Sequence, residues 1–181
     1  MAVGKKLNRS LRKFIERQPI FFVATAGPTG RVNLSPKGLD TLRILDDNRI
    51  VWLSLSGSGN ETAAHLRENP RMTLMFCAFE GDALILRTYG TASVLHPRDE
   101  GWDETAAMFP ELAGSRQIYD LKIDLVQTSC GTGVPEMKLV RSRGEHELEP
   151  WFADLGEDGV KDFWQRKNVT SIDGKPTGIF D

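Results

Sequence analysis

The chain has 181 residues, 40% hydrophobic and 27% charged, with a formal net charge of −2 at pH 7. This length suffices for one domain with a sizeable core, and the charge balance gives no reason to expect nucleic acid or an anionic membrane as a partner. No apolar run is long enough to span a bilayer, and the basic segment 1–17 lacks the apolar core of a signal peptide. With two cysteines, Cys77 and Cys130, we expect a cytoplasmic protein with reduced thiols.

The first third of the chain reads as one helix followed by short strands. Apolar residues recur at helical spacing over about residues 5–17, which predicts an N-terminal helix. Four β-rich runs, separated by glycine, proline and aspartate turns, then predict strands at 20–26, 31–36, 39–45 and 49–55. In the second run Val32 and Leu34 alternate with polar residues, so one face should meet the core while the other offers polar groups.

The remainder is predicted to add further strands and three helices. A helix after residue 60 should stop at Pro70, and strands are predicted at 71–79, 83–95, 118–127 and 136–140. Gly90, near the middle of a long strand, indicates a bulge or a close approach by another group. Helices are predicted at 97–109 and at about 151–168. About seven strands with peripheral helices predict a mainly β barrel in a single domain, residues 1–181.

The most informative stretch is the glycine-rich turn Leu55–Asn60 and the helical segment after it. Asn60 stands where it would cap that helix, and the free N–H groups of a helix N-terminus favour a phosphate. The stretch has neither the lysine of a P-loop nor the third glycine of the dinucleotide fingerprint, since Thr62 occupies that place. By itself the turn is equally consistent with an ordinary loop and helix cap.

Lys37 stands in the corner Ser35-Pro36-Lys37-Gly38, just after a predicted strand. The proline fixes the backbone, and the glycine permits a tight bend. A lysine there can supply a point charge for a phosphate, although turn lysines are more often solvated.

No side chain stands out as a nucleophile, an acid or base, or a metal ligand. Cys130 lies between glycines with no histidine in a recognisable motif nearby, so packing against a flat or bulky group suits it better than catalysis. The three histidines form no metal-binding pattern.

Three blocks in matching order resemble the pyridoxamine 5'-phosphate oxidase-related, FMN-binding split-barrel family: GRVNLSPKG (30–38), GSGNETAAHL (57–66) and LMFCAFEG (74–81). Two later blocks are similar to an uncharacterised branch of that family: SCGTGVP (129–135) and SIDG (171–174). The resemblance covers roughly residues 14–178. It implies a six-stranded split barrel and a homodimer with FMN at the subunit interface.

The resemblance also implies roles for particular residues. Lys37 matches a family lysine near the flavin phosphate, and Ser54 matches a position that approaches the flavin or its ribityl chain. Asn60, Glu61 and Thr62 align with the Ser-Arg-Lys phosphate signature, whose two cations are replaced here, so Lys37 or a nearby arginine would supply the charge. The expected cofactor-binding residues are Ser35, Lys37, Ser54, Gly57, Gly59, Asn60, Glu61, Thr62, Cys130 and Gly131.

The C-terminal Arg-x-His motif of true pyridoxamine phosphate oxidases is missing. The resemblance therefore does not imply that pyridoxamine phosphate is the substrate. We therefore predict an FMN-binding oxidoreductase acting with an unidentified small-molecule substrate or electron donor. The alternatives are a non-catalytic flavin-binding sensor or carrier, and a split-barrel protein that binds the deazaflavin F420 or haem.

Overall fold

A computed structural model describes residues 1–181 and shows a mainly antiparallel β protein with peripheral helices. The eight strands are β1 (Ala2–Gly4), β2 (Phe21–Thr25), β3 (Asn33–Lys37), β4 (Leu42–Asp46), β5 (Arg49–Leu55), β6 (Arg71–Cys77), β7 (Leu84–Leu95) and β8 (Ser115–Cys130). The α-helices are α1 (Arg9–Glu16), α2 (Glu61–Glu68), α3 (Trp102–Ala106) and α4 (Glu149–Lys167), the last preceded by a π-helical turn at Gly144–Leu148. None of the helices combines the length and the apolar composition that a membrane-spanning helix requires.

The strands form one sheet in the order β3-β2-β6-β7-β8-β5-β4, with β1 paired to β8. The expected count of six strands is wrong, and the sheet is open because its edge strands β3 and β4 do not pair with each other. The 16-residue β8 explains part of the excess: one edge pairs with β7, while the other accommodates both β5 and β1. The strand β1 was missed because its three residues, at the start of the basic segment 1–17, precede the predicted helix and are too few to show an alternating pattern.

The predicted irregularity at Gly90 is confirmed. The register between β7 and β8 shifts between Tyr89 and Gly90, which marks a β-bulge. A Cβ atom at Gly90 would overlap the backbone carbonyl of Lys122, so no other residue fits without a backbone shift.

The main core lies on one face of the sheet and is rich in aromatic residues. Trp52 of β5 and Tyr119 of β8 stack with ring centroids 4.4 Å apart, and Phe21 of β2 meets Trp52 edge-on at 6.0 Å. The helix α1 buries Phe14 and Ile15 against this cluster. Burial of this apolar area is the main stabilising contribution of the fold.

Two sequence predictions fail in the second half of the chain. The helix expected at 97–109 is confined to Trp102–Ala106, and the strand expected at 136–140 does not form. Residues 131–143 are instead irregular and mostly exposed. The C-terminal helix α4 is present but changes direction at Gly156, whose φ is 64°.

Candidate functional site

A cleft of about 2160 Å³ opens beside β3 and the glycine-rich turn. Its walls come from β3, the β5–α2 turn, Arg116 of β8, the segment 137–148 and the C-terminal residues 170–172. Elements far apart in sequence therefore converge on the turn that the sequence singled out.

The strand β3 presents its polar side chains to this cleft: Asn33, Ser35 and Lys37 line it. Val32 and Leu34 face solvent, 74% and 63% exposed, so the expectation that they meet the core is wrong. The physical reason is the position of β3 at the sheet edge, where its inward face looks into a polar cleft rather than onto packed side chains.

Arg116 is the strongest electrostatic feature of the cleft. Its side chain is only 5% exposed, and its hydrogen bonds reach neutral acceptors alone: Gly59 O at 3.0 Å, Asn168 Oδ1 at 2.8 Å and Ser54 Oγ at 3.3 Å. No carboxylate pairs with it, and its Nε has no partner. Burial lowers the pKa of Arg116, a sign that its charge is poorly compensated within the protein.

Lys37 of β3 is a further cation that lines the cleft, and it makes no ion pair. Its Nζ lies 5.8 Å from the centre of the Trp52 ring, within reach of a cation–π interaction. Burial, together with the positive charge of Arg116, lowers the pKa of Lys37 to about 8. A buried arginine and a half-buried lysine, neither of them paired with an acidic group, therefore share one cleft.

Three polar side chains form a chain of hydrogen bonds along the cleft wall. Asn33 Nδ2 donates to Thr62 Oγ1 at 3.2 Å, and Ser35 Oγ donates to Asn33 Oδ1 at 2.9 Å. Of the predicted residues, Ser35 and Thr62 thus line one surface, connected by an asparagine that the prediction omitted.

Asn60 and Glu61 behave differently from the sequence expectation. Asn60 occupies the N-cap position of α2, but its side chain caps no helix N–H; it lies 3.5 Å from both Asn168 O and the Tyr119 hydroxyl. The predicted side-chain cap is therefore wrong. The Glu61 carboxylate accepts the N–H of Ile172 at 3.0 and 3.2 Å, which ties it to the C-terminal segment.

The two predicted glycines use their backbone carbonyls to hold the turn. Gly59 O accepts from Arg116, and Gly57 O accepts from Asn168 Nδ2 at 2.9 Å. With the carbonyls bound and no side chain capping α2, N–H groups at the start of this helix remain available as donors.

Cys130 and Gly131 lie at the end of β8, outside the cleft lining. Cys130 is exposed, and hydrogen bonds from the Thr132 hydroxyl and backbone lower the pKa of its thiol. A Cβ at Gly131 would lie 2.7 Å from Leu84 N, so this glycine permits close packing between strands. A cofactor contact by these two residues stays a prediction.

None of the three histidines is among the residues that line the cleft. Buried His65 contacts the Thr25 hydroxyl at 3.0 Å, and buried His96 lies 3.5 Å from Gln117. No cluster of three His, Cys, Asp or Glu side chains has the geometry of a metal site.

Sequence reasoning missed Arg116 and Asn168 as site residues. The predicted strand at 118–127 begins after Arg116, so no side of the sheet could be predicted for this residue. In the structure β8 already begins at Ser115 and includes Arg116. Asn168 follows α4 and reaches the turn only through the tertiary fold. The residues present fit a phosphate monoester, because two cations, hydroxyl groups and free helix N–H groups are its usual ligands in proteins.

The family model for pyridoxamine 5'-phosphate oxidase matches residues 7–130, more than half of the chain. The chain belongs to the pyridoxamine 5'-phosphate oxidase family. It is also 34% identical over 189 residues to the pyridoxamine 5'-phosphate oxidase family protein ustO of Aspergillus flavus, an alignment that covers 95% of this chain and 76% of that protein.

Solved structures share the fold of this family member at low sequence identity. A HupZ variant from Group A Streptococcus aligns with a TM-score of 0.55 at 18% identity, covering 67% of this chain and 98% of that one. A putative pyridoxamine 5'-phosphate oxidase from Lactobacillus delbrueckii gives 0.52 at 17%, covering 68% and 99%. A pyridoxamine 5'-phosphate oxidase-related, FMN-binding protein from Nostoc punctiforme gives 0.50 at 15%, covering 73% and 89%. These matches identify the fold as the split barrel of the family.

Proposed function

We propose that this member of the pyridoxamine 5'-phosphate oxidase family binds FMN and acts as an oxidoreductase on a small molecule. The observation that carries the proposal is the pair Lys37 and Arg116: Arg116 is buried and Lys37 half-buried beside one cleft, and neither has an acidic partner. Burying uncompensated charge costs stability, and a bound dianion would remove that cost.

The remaining donors suit the same end of the cofactor. The Thr62 hydroxyl, which accepts from Asn33 and keeps its own proton to donate, lines the cleft, and the start of α2 offers N–H groups and the positive end of its dipole. The Nε of Arg116 is buried and lacks an acceptor within the protein, which leaves this guanidinium incompletely satisfied. We infer that these groups bind the phosphate and fix the orientation of the cofactor. The FMN-binding description of the Nostoc punctiforme structure supports this choice of cofactor.

Bound flavin would supply hydride or electron transfer, which side chains cannot perform alone. The chain's own contribution is binding, orientation and exclusion of water. Five acidic residues line the cleft: Asp40, Glu61, Glu80, Asp82 and Glu145. Asp40 is engaged by Arg43 at 2.5 Å and Glu61 by the Ile172 N–H, and the other three side chains are exposed to solvent. Burial raises the pKa of Tyr119 far above neutrality, which keeps its hydroxyl protonated. We therefore assign no catalytic acid or base.

The cleft lining disfavours one alternative from the sequence. None of the three histidines lines the cleft, so it offers no imidazole ligand to a haem iron. A flavin sensor or carrier uses the same phosphate site, and only turnover separates it from an enzyme.

A homodimer with FMN at the subunit interface is part of the proposal. Val32 and Leu34 are exposed apolar side chains on the outer face of the β3 region, whose inner face lines the cleft. Covering them with a second copy would remove apolar area from water directly beside the proposed site.

The test is to purify the protein, record its absorbance and identify the released cofactor by mass. We expect a yellow protein that releases FMN and is reduced by NADH or NADPH and reoxidised by an acceptor. Apoprotein that shows no affinity for FMN in a fluorescence titration would refute the proposal. Bound FMN that no nicotinamide donor or electron acceptor turns over would assign the sensor or carrier role instead.

A further inference from the structure

We propose that Asn168 is a positioning residue whose neutral carboxamide holds Arg116 and the Gly57 turn together and leaves the positive charge of Arg116 available to the phosphate. This inference rests on the proposed function. It adds that the C-terminal helix α4, which lies outside the region matched by the family model, completes the anion site.

The carboxamide of Asn168 bridges two parts of the candidate site. Its Oδ1 accepts from Arg116 Nη1 at 2.8 Å, and its Nδ2 donates to Gly57 O at 2.9 Å. The residue is completely buried, so these bonds do not compete with solvent. Only a planar group with an acceptor on one side and a donor on the other satisfies both contacts.

The end of α4 is itself fixed to the same turn. Trp164 Nε1 donates to Ser56 Oγ at 2.6 Å, one helical turn before Asn168. The backbone carbonyl of Asn168 accepts the hydroxyl of buried Thr177, so the chain after the helix holds the residue from the other side. Asn168 thus has little freedom to reorient.

The neutrality of Asn168 is as important as its geometry. An aspartate has nearly the same shape, and at this position its carboxylate would form a buried ion pair with Arg116. Such a pair would compensate the charge that a phosphate otherwise meets. The arginine has only neutral partners within the protein, Asn168 being its shortest contact, so a net positive charge remains beside Lys37.

The test compares Asn168→Asp with wild type in fluorescence titrations against FMN and against riboflavin, which lacks the phosphate. We expect the substitution to lower FMN affinity about tenfold or more, since charge-assisted hydrogen bonds to the phosphate are lost, and to leave riboflavin affinity within about twofold. Thr177→Val is the matched control: it disturbs the same helix end without touching Arg116, and its FMN-to-riboflavin affinity ratio should equal that of wild type.

A second measurement needs no cofactor. The amine of Lys37 becomes reactive as it loses its proton, so the pH dependence of its acetylation, read by mass spectrometry, reports its ionisation in the apoprotein. Because Arg116 helps to lower the pKa of Lys37, Asn168→Asp should move the half-reactive pH of Lys37 upward, whereas Thr177→Val should not.

The outcomes separate this inference from the proposed function. If wild type binds FMN but Asn168→Asp keeps both the affinity ratio and the Lys37 profile, the positioning role is refuted while FMN binding stands. If wild type does not bind FMN, the proposed function fails, and an upward shift of the Lys37 profile still supports the charge argument at Arg116. Equal losses of FMN and riboflavin affinity would show that Asn168 merely maintains the fold.

Discussion

At the scale of single residues, the positive charge of the candidate site comes from residues outside the segment that aligns with the family's phosphate signature. The family resemblance aligns Asn60, Glu61 and Thr62 with a signature that contains two cations, and the side chain of Glu61 is tied to the C-terminal segment instead. Arg116, from a strand distant in sequence, takes a buried place beside the same turn. The charge is thus supplied by the tertiary fold, and Lys37 is the only cation of the pair visible in a local motif.

Lys37 should make FMN binding depend on pH. Its pKa of about 8 in the free protein should rise when a phosphate dianion binds, because the anion favours the charged amine. Affinity should therefore be highest between about pH 7, where the phosphate is largely dianionic, and pH 8, and should fall at higher pH. Fluorescence titrations at several pH values check this. Lys37→Arg, which stays charged, should abolish the fall above pH 8, and an unchanged decline in that variant would contradict the assignment.

The same shift has the opposite effect on the cofactor-free protein. A lysine whose pKa is lower in the folded state than in the unfolded state binds fewer protons when folded, between pH 8 and the ordinary lysine pKa of 10.5. The contribution of Lys37 to the free energy of unfolding therefore increases as pH rises through this window, and the unfavourable contribution is fully present below pH 8. Denaturant unfolding of wild type and Lys37→Met should differ in pH slope in this direction.

Thr62 offers a test of the hydroxyl donors. Thr62→Val keeps the size and removes the hydroxyl that accepts from Asn33 and faces the cleft, so FMN binding should weaken by about 0.5–1.5 kcal/mol. Calorimetric titration measures the difference, and Thr62→Ser, which retains the hydroxyl, is the control. Equal affinities in wild type and Thr62→Val would remove Thr62 from the phosphate site.

At the scale of elements, regular strands were predictable and their outward faces were not. Seven of the eight strands overlap the predicted β-rich runs, because β-branched and aromatic residues bounded by turn residues give a local signal. The face of β3 could not be read this way, since Val32 and Leu34 have the alternation of a core-facing strand but lie at a sheet edge. Arg116 and Asn168 were missed for a related reason: their roles depend on contacts between β8, α4 and the turn.

The bulge between β7 and β8 gives an element-scale prediction. Gly90→Ala would place a methyl group against the Lys122 carbonyl, so the strands must shift, and we expect a loss of about 1–3 kcal/mol in the free energy of unfolding. Gly133→Ala is the control, because nothing lies within 4 Å of its added Cβ. Urea denaturation measures both. Equal stability of wild type and Gly90→Ala would mean that the close approach is relieved at no cost.

At the scale of the whole molecule, the open sheet leaves the cleft bordered by an edge strand with an apolar outer face. The strand β6 is flanked on both edges by β2 and β7, so its backbone is not free to pair with a partner. The exposed side chains beside β3 are the better candidates, since they adjoin the proposed cofactor site. A two-fold axis there would repeat the same patch on both copies and give two equivalent sites.

We therefore predict that wild type sediments as a dimer and that Leu34→Glu, which places a charge on the apolar patch, shifts it towards monomer. Because the inner face of β3 lines the cleft, dissociation of the dimer should also lower the affinity for FMN. Val3→Glu is the control, since Val3 is 61% exposed but lies on β1, away from the cleft. Sedimentation velocity at several protein concentrations, paired with FMN titration, separates the two effects. A wild-type monomer that binds FMN tightly would contradict the proposed dimer. A Leu34→Glu variant that remains dimeric would show that the interface lies elsewhere on the surface.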